Sequence, residues 1–397
     1  MTVKTANKKQ SLTGNEAAAL ALKQANPDVA AVFPITPQTE LMHSFSGYVA
    51  NGQVDTEMVY VESEHSAMSA VVGASSAGSR AITATSANGL ALMWEIVYIA
   101  ASLRLPVVMP VINRALSGPI NIHCDHSDTM GARDSSWMQL FCENSQEAYD
   151  SIICAFRMAE DHGVLLPCMI NFDGFIISHT TEVVDTIVSD EAVQDFIGPF
   201  NPATNLLDVD NPITIGPLDL QDYYFEHKRQ QVEAMENAPA VMDKVFAEYE
   251  RLSGRKYERI ETYRMEDAEI ALMALGSTAG TAKDAVDMLR EKGIKAGHVK
   301  VRAFRPFPHD LLEEALGNVK AIGVMDRSLT FGMKYGPLCT EVMATLYGKS
   351  IPVRNFIYGL GGRDIFVEQI VEAGESINDM AAGKKELPPQ SFIGLRE

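Results

Sequence analysis

Short apolar runs alternate with stretches of helical periodicity from Ser11 to about His179. The apolar runs predict five β-strands, at residues 28–33, 58–61, 81–85, 106–112 and 165–171. The periodic stretches predict helices, at residues 15–24, 38–51, 64–78, 90–102 and 145–162. Apolar strands that alternate with helices indicate a parallel sheet covered on both faces, so the sequence predicts an α/β fold.

The pattern changes beyond residue 200. Residues 201–216 are rich in Pro, Asn and Asp, and residues 219–252 have the charged helical pattern of a solvated connecting element. A second α/β unit follows, with strands predicted at 268–274, 296–301 and 321–325 and a helix at 282–292.

These patterns predict two domains of unequal size. We place the first domain at 1–252, a linker at 253–266 and a smaller α/β domain at 267–397. The length agrees, because a chain of 397 residues is expected to form two or three domains at ~150 residues each.

Composition and charge narrow the class of protein. With 46% hydrophobic and 21% charged residues, the chain is expected to be globular with a sizeable core. Its net charge of −19 repels phosphate backbones and anionic lipids, so we expect no nucleic-acid and no membrane partner.

The N-terminus, MTVKTANKKQ, lacks the apolar core of a signal peptide, and no apolar run is long enough to span a membrane. A cytoplasmic protein is therefore expected.

The cysteines do not form a recognisable motif. They number five, at Cys124, Cys142, Cys154, Cys168 and Cys339. None forms a CxxC pair, and their spacings fit neither a zinc site nor an iron–sulfur site. We expect reduced, isolated thiols and no metal bound by this chain.

The first stretch with candidate chemistry is FPITPQTE, residues 33–40, at the end of the first predicted strand. Because a proline restricts the residue before it, Pro37 is expected to hold Thr36 extended. Two interpretations are open at this point. Thr36 is either the N-cap of the next helix, or it faces a ligand at the carboxyl end of the strand, with Pro37 at the first helical position and free N–H groups after it.

Two carboxylates, Glu62 and Glu64, lie in the stretch VESEHSAMSAVVGASSAG, where the second strand meets a helix of small residues. Glutamates on the surface are the usual case. The helix after Glu64 has the pattern of one buried all round, however, and a buried carboxylate needs a partner because an unpaired buried charge is unfavourable. A cofactor nitrogen is one such partner.

A third strand end carries hydroxyls and small residues, in the stretch TATSANGLALM that includes Ser86 and Asn88. Three polar turns at successive strand ends indicate a ligand crevice along one edge of the sheet.

A long polar loop, residues 113–134, follows the fourth strand. It contains Arg114, whose guanidinium is suited to hold a small carboxylate through two hydrogen bonds. Its HxDHxD stretch, from His123 to Asp128, has the residue types of metal ligands, but no second cluster supports a metal site and none is expected. The role of that stretch stays open. A serine hydrolase is excluded, since the chain has no GxSxG motif.

Taken in order, five stretches resemble the alpha subunits of the 2-oxoacid:ferredoxin oxidoreductase family, and most of all its pyruvate:ferredoxin oxidoreductase branch. They are FPITPQTE, ESEHSAMSAVVGASSAG, TATSANGLALM, NRALSGPINIHCDHSD and ENSQEAYD. The resemblance extends to the C-terminal half through VKVRAFRPFP and GVMDRSLTFG. It implies a pyrimidine-type thiamine-diphosphate-binding parallel-sheet domain, followed by a smaller α/β domain like the C-terminal domain of transketolase.

The resemblance also implies a chemistry. Enzymes of this family decarboxylate a 2-oxoacid with thiamine diphosphate, pass the acyl group to coenzyme A, and send electrons through [4Fe–4S] clusters to ferredoxin. The beta subunit, which binds the diphosphate with Mg²⁺, and the cluster-carrying gamma and delta subunits are separate from the alpha subunit. A self-contained thiamine enzyme would need a GDG diphosphate motif, and this chain has none.

Residue roles follow from motif position in the resemblance. Glu64 matches the glutamate that hydrogen-bonds N1′ of the cofactor pyrimidine, with Glu62 as the fallback. Thr36 matches the threonine beside the substrate, and Arg114 matches the arginine near the substrate carboxylate. Ser86 and Asn88 are expected to line the cofactor pocket.

Substrate choice is less constrained by the sequence. Branched-chain relatives share PITPQT and SEHSA, so those motifs do not discriminate, whereas RALSGPINIHCDHSD favours pyruvate. The alternatives are an alpha subunit for a branched-chain or other 2-oxoacid, and a non-catalytic assembly subunit of such a complex.

Overall fold

The computed structural model describes residues 7–203 and 205–396. The elements of its first half are β1 (Asn7–Thr13), α1 (Gly14–Ala25), β2 (Val29–Val32), α2 (Thr39–Ala50), β3 (Glu57–Tyr60), α3 (Glu64–Ser76), β4 (Ala81–Ile82), α4 (Ala87–Leu92), α5 (Trp94–Ser102), β5 (Val108–Asn113), α6 (Ser127–Gly131), β6 (Met138–Phe141), α7 (Ser145–Glu160), β7 (Cys168–Asp173), β8 (Thr181–Ile187), α8 (Asp190–Ile197) and α9 (Tyr224–Ser253).

The second half continues the alternation of strands and helices. Its elements are β9 (Ile260–Tyr263), β10 (Ile270–Ala274), α10 (Thr278–Glu291), β11 (Ala296–Val301), β12 (Ala303–Arg305), α11 (His309–Leu316), β13 (Ala321–Asp326), α12 (Pro337–Thr345), β14 (Val353–Ile357), α13 (Val367–Ala381) and β15 (Gln390–Phe392).

A seven-stranded sheet forms the centre of the first half, in the order β12-β6-β7-β5-β4-β2-β3. All neighbours are parallel except β12, which runs antiparallel to β6. Every residue of β5 and β7 is buried, as the continuous apolar runs in the sequence predict for strands covered on both faces. The predicted α/β fold is confirmed.

Helices cover this sheet on both faces. On one face, α1, α7 and α9 contribute Leu22, Tyr149 and Phe246 to a core with the strands. On the other, α3 and α5 contribute Met68 and Val97 to a separate core. The helix α3 is only half-buried, so the expectation that it is buried all round is wrong; its exposed positions include Gly73.

A second sheet of six strands forms the other half, in the order β15-β14-β13-β10-β11-β9. Its strands are parallel except β9, which is antiparallel to β11.

Residues 260–263, inside the predicted linker, thus form an edge strand. The charged residues around Ile260 obscure its strand pattern in the sequence. The division of the chain at 253–266 stays a prediction.

Buried ion pairs join the two halves. The ammonium of Lys300, on β11, lies 2.6 Å from Glu143 and 2.7 Å from Glu147 and from Glu261. The guanidinium of Arg302 donates to Glu147 at 2.7 Å. Burial alone would raise the pKa of Glu147, but the two cations lower it to about 2. These contacts fix β11 against the start of α7.

Two further differences concern the path of the chain. The predicted helix at 90–102 is two helices, α4 and α5, which meet at Met93. A two-stranded antiparallel sheet of β1 and β8, which the sequence did not predict, lies beside α7.

Among residues 7–203 and 205–396, no helix combines the length and apolar character that crossing a bilayer requires.

Candidate active site

The residues that sequence analysis singled out follow the carboxyl ends of β2, β3, β4 and β5. Because these strands are parallel neighbours in the sheet, the turns after them lie along one edge. Contacts between the turns place Thr36 beside Arg114, and Glu64 beside the turn that carries Ser86 and Asn88. The structure thus brings side chains from the predicted strand ends together along one edge of the sheet, and a ligand crevice at this edge stays a prediction.

Glu64 is the first residue of α3 and is buried, with 6% of its surface exposed. Ser63 caps the helix, its hydroxyl accepting a hydrogen bond from the backbone N–H of Ser66 at 3.2 Å. Within the described part of the chain, no hydrogen bond or ion pair reaches the carboxylate of Glu64. Burying a carboxylate without a hydrogen-bond partner is unfavourable. A ligand that donates a hydrogen bond to Glu64 would therefore be stabilised at this position.

Gly89, in α4, allows the close approach of Glu64. A Cβ at position 89 would lie 2.8 Å from Oε1 of Glu64 and 2.4 Å from Oγ1 of Thr85. Only a glycine leaves room for both side chains here. Gly89 and Thr85 both belong to the TATSANG stretch, but no local pattern in the sequence marks either of them.

Glu62 occupies a different environment from Glu64. Its side chain faces solvent and accepts a hydrogen bond from the hydroxyl of Ser66. That hydrogen bond lowers the pKa of Glu62 below its ordinary value. An exposed carboxylate with a partner already in place is less suited to receive a cofactor nitrogen than the buried Glu64.

Buried hydroxyls at the end of β4 have no hydrogen-bond partner among the described residues. They belong to Thr83, Thr85 and Ser86. Ser86 is the N-cap of α4, yet its hydroxyl makes no capping bond. Asn88 is exposed, and its Oδ1 accepts a hydrogen bond from the hydroxyl of Ser117 at 2.9 Å. The turn after β4 thus offers unsatisfied polar groups, which are uncommon unless a ligand completes them.

Thr36 lies in a turn rather than at a helix N-cap. The helix α2 begins at Thr39 with Gln38 as its N-cap, so the N-cap interpretation of Thr36 is wrong. Pro37 is not at the first helical position either. The N–H groups of Gln38 and Thr39 both donate to the carbonyl of Ile35, so they are not free for an anion. The Thr36–Pro37 peptide bond is cis, and the side chain of Thr36 is exposed.

The guanidinium of Arg114 is buried and partly engaged by backbone. Its Nη1 donates to the carbonyl oxygen of Thr36 at 2.9 Å, and its Nε donates to that of Asn121 at 2.9 Å. Its Nη2 has no hydrogen bond within residues 7–203 and 205–396. One nitrogen therefore stays available, in an orientation fixed by the other two.

Asp128 links the turn after β4 to the loop after β5. Its carboxylate accepts hydrogen bonds from the backbone N–H groups of Ala87 and Arg114, each at 3.0 Å, and from the amide of Asn113 at 2.9 Å. Burial raises the pKa of Asp128 to about 6, although these bonds favour the charged form. In the sequence, Asp128 stands out only as the last residue of the HxDHxD stretch, and nothing there predicts this role.

The remainder of that stretch contacts the second half of the chain. Nε2 of His126 lies 2.8 Å from Oδ1 of Asp173, and the other oxygen of Asp173 accepts from Arg327 at 2.8 Å and from Ser277. Burial alone would raise the pKa of Asp173, but His126 and Arg327 hold it well below its usual range. Cys124 lies within 4.8 Å of His126 and Asp173, but the cation of Arg327 already neutralises the carboxylate. The stretch therefore joins the two halves of the chain.

Cavity size does not locate this site. A cavity of about 800 Å³ lies between α9, β9 and α11, with Glu250, Glu258 and Leu311 among its lining residues. It shares no residue with the four strand ends. The unpartnered polar side chains at the strand ends therefore indicate the candidate site better than cavity volume does.

Two protein families match the chain, one in each half. Residues 20–247 match the family described as "Pyruvate flavodoxin/ferredoxin oxidoreductase, thiamine diP-bdg". Residues 268–370 match "Pyruvate:ferredoxin oxidoreductase core domain II".

Individual relatives cover nearly the whole chain. It is 56% identical to pyruvate synthase subunit PorA of Thermotoga maritima, over 97% of this chain and 98% of that protein. It is 43% identical to ketoisovalerate oxidoreductase subunit VorA of Pyrococcus horikoshii, over 95% of each. A solved structure of 2-oxoglutarate:ferredoxin oxidoreductase from Magnetococcus marinus is similar with a TM-score of 0.73 at 20% identity, over 93% of this chain and 65% of that one. At that identity the likeness concerns the fold alone.

Proposed function

The chain belongs to the pyruvate flavodoxin/ferredoxin oxidoreductase family, and on that premise we propose that it is the alpha subunit of a pyruvate:ferredoxin oxidoreductase. The reaction is the reversible conversion of pyruvate, coenzyme A and oxidised ferredoxin to acetyl-CoA, CO₂ and reduced ferredoxin. The observation that carries the proposal is the buried, unpartnered carboxylate of Glu64 at the edge of a thiamine-type sheet.

The residues at the strand ends fit the pyrimidine half of thiamine diphosphate. When bound, this cofactor supplies the nucleophilic carbon and the electron sink for decarboxylation of a 2-oxoacid. The unsatisfied hydroxyls of Thr85 and Ser86, and the space that Gly89 leaves beside Glu64, support a ligand at this place. Glu64 would bond the pyrimidine nitrogen N1′ and share a proton with it, and Ser86 and Asn88 would line the pocket.

Arg114 and Thr36 are proposed to orient the substrate. The free Nη2 of Arg114 would bind the carboxylate of the 2-oxoacid, while the bonds of Nη1 and Nε to backbone keep the guanidinium from turning away. The exposed hydroxyl of Thr36 would donate to the oxygen that gains negative charge. Holding both groups in fixed positions favours reaction by reducing the freedom of the bound substrate.

The remaining cofactors are proposed to lie on partner subunits. A [4Fe–4S] cluster requires four cysteines. Within the described part of the chain, the five cysteines are buried and free, and neither of the two clusters of potential ligand side chains has more than one. A beta subunit would bind the diphosphate with Mg²⁺, and gamma and delta subunits would carry the clusters and pass electrons to ferredoxin. We propose that the complex acts in the cytoplasm.

Pyruvate is the substrate we favour. The chain is 56% identical to a pyruvate synthase subunit and 43% identical to a ketoisovalerate oxidoreductase subunit. A branched-chain or other 2-oxoacid, and a non-catalytic assembly role, are the competing proposals.

Reconstitution tests the proposal. The isolated chain should be inactive, and co-expression with beta, gamma and delta subunits should give reduction of a low-potential dye that depends on pyruvate and coenzyme A. A higher kcat/KM for 2-oxoisovalerate than for pyruvate would reassign the substrate. Failure of the whole complex to bind thiamine diphosphate would instead support an assembly role.

A further inference from the structure

Residues 205–223, which we call the arm, present apolar side chains to solvent. The arm lies between α8 and α9 and contains no helix or strand. Its most exposed apolar side chains are Leu207 at 72%, Val209 at 86%, Leu218 at 88% and Tyr223 at 67%. Apolar side chains this exposed, gathered in one short segment rather than scattered singly over the surface, mark a place where another molecule binds.

The arm is anchored at both ends. At its start, the N–H of Leu206 donates to the carbonyl of Ser76, the last residue of α3, at 3.0 Å. At its end, Asp219 pairs with His227 of α9. Because its course is set before a partner arrives, binding would sacrifice less chain entropy than the ordering of a free segment.

Two prolines and a local turn stiffen the section between the anchors. Pro212 and Pro217 have fixed φ angles and no N–H group. The carboxylate of Asp208 accepts from the N–H groups of Asp210, at 3.1 Å, and Asn211, at 3.2 Å. The apolar side chains are therefore displayed on a restricted backbone.

The charge of the arm indicates the kind of surface that receives it. It contains four aspartates and no Lys or Arg, at Asp208, Asp210, Asp219 and Asp222. The whole chain has a net charge of −19, so a second copy would repel the arm. The complementary surface is an apolar groove with a basic rim on a different chain.

We propose that the arm docks into an apolar groove rimmed by Lys or Arg on another subunit of the complex. This inference rests on the proposed function, which supplies the partner subunits. The anchor at Ser76 lies about 18 Å along α3 from Glu64, at the opposite end of the helix. The arm therefore makes a contact separate from the strand-end site.

Photo-cross-linking identifies the occupant. Leu218 is replaced by p-benzoylphenylalanine in the reconstituted complex, which is irradiated and separated by mass. We expect a cross-link to a different subunit, at a peptide with Lys or Arg near apolar residues. A cross-link to a second copy of this chain, or none, would overturn the proposal.

A matched pair of double variants measures the contribution of the arm. Val209→Ser with Leu218→Ser should weaken assembly at least tenfold, while the unfolding temperature of the isolated chain stays unchanged because both side chains are exposed. Val183→Ser with Val188→Ser is the control, since these valines are 68% and 56% exposed outside the arm. Equal assembly of the two double variants would contradict the inference.

Charge reversal supplies an independent measurement. Asp210→Lys with Asp222→Lys should weaken assembly more at low salt than at high salt, because rim electrostatics are screened. Assembly and dye reduction are measured separately. If these variants weaken assembly but the unaltered complex reduces no dye, the proposed function is contradicted and the docking of the arm is not. If the complex is active and assembles equally well with these variants, the docking of the arm is contradicted and the proposed function is not.

Discussion

Nη1 of Arg114 donates a hydrogen bond to the carbonyl oxygen of Thr36 at 2.9 Å, across 78 positions of the sequence. Two residues proposed to orient the same substrate thus also set each other's position. The orientation of the guanidinium depends on this bond and on the bond from Nε to Asn121.

Arg114→Lys should raise the KM for pyruvate about 10- to 100-fold in the reconstituted complex, with a smaller effect on kcat. A lysine keeps the charge but lacks the rigid planar guanidinium, whose Nε and Nη1 are held by the two carbonyls while Nη2 is directed to the substrate. Steady-state dye reduction at varied pyruvate measures this. Arg133→Lys, at the partly exposed end of the same loop, is the control and should leave KM unchanged. An unaltered KM in Arg114→Lys would remove Arg114 from the substrate site.

Glu64→Gln should lower kcat by about 10²- to 10⁴-fold, the range for loss of a general acid or base. The amide has similar volume, so the fold is expected to persist. Glu62→Gln is the matched control, because that side chain faces solvent and already accepts a hydrogen bond from Ser66. Dye reduction by the two variant complexes separates the carboxylates, and the reverse ranking would transfer the role to Glu62.

Gly89→Ala should weaken binding of thiamine diphosphate by the whole complex. The new Cβ would lie 2.4 Å from Thr85 Oγ1 and 2.8 Å from Glu64 Oε1, so these groups must move. Calorimetric titration of the cofactor measures the loss. Gly73 is exposed in α3, and no atom of residues 7–203 or 205–396 lies within 4 Å of a Cβ added there. Gly73→Ala should instead stabilise the chain by about 0.5–1 kcal/mol. Equal cofactor affinity in both variants would argue against a tight fit at Gly89.

Asp128→Asn should remove part of the pH dependence of stability. Burial raises the folded-state pKa of Asp128 to about 6, from an ordinary value of 3.8. The folded state therefore binds the proton more tightly, and this residue's contribution to the unfolding free energy falls as pH rises from about 4 to about 6. A rise of the pKa from 3.8 to about 6 corresponds to a change on the order of 3 kcal/mol in the free energy of unfolding. Denaturant unfolding of the isolated chain between pH 4 and 7 measures the slope.

Asp326→Asn is the control for that variant. Burial also raises the pKa of Asp326 to about 6, but this carboxylate accepts from Leu338, Cys339 and Asn355, away from the strand ends. Both variants should flatten the pH dependence, and only Asp128→Asn should also lower dye reduction, because only Asp128 positions Arg114 and Ala87. Equal activities would assign Asp128 a purely structural role.

Glu147→Gln should destabilise the chain by about 3–5 kcal/mol, because it leaves the buried cations of Lys300 and Arg302 without full compensation. Urea unfolding at neutral pH measures this. Glu258→Gln, which removes an exposed pair with Lys256, should destabilise the chain far less, because solvent screens that pair. Similar losses in the two variants would mean that the buried cluster contributes no more than a surface pair.

The sequence predicted the main strands and the approximate site because both depend on local patterns. Continuous apolar runs mark β5 and β7, and motif position marks Glu64. Of the two interpretations that the sequence left open for Thr36, the N-cap is wrong. Capping signals are local, whereas the turn there is held by tertiary hydrogen bonds from Arg114 to the carbonyl of Thr36 and from Asn15 to the carbonyl of Pro37.

Other features of the site depend on contacts that no local pattern contains. Gly89 matters because its turn packs on Glu64, and Asp128 because its loop returns to the N-terminus of α4. The strand β9 was hidden in a charged segment because its acidic Glu261 is neutralised by Lys300 and Lys283, which are distant in sequence.

The strand β12 pairs with β6, so the last strand of the first sheet comes from the second half of the chain. A gene cut anywhere in 253–266 would yield a first half whose strand β6 has an open edge. Unpaired edges recruit other strands, so such a fragment should aggregate more readily than the whole chain, in which β12 covers that edge. The two halves therefore cannot be exchanged between homologues as separate modules at that point, and a usable chimaera must carry residues 303–305 together with the sheet that they complete.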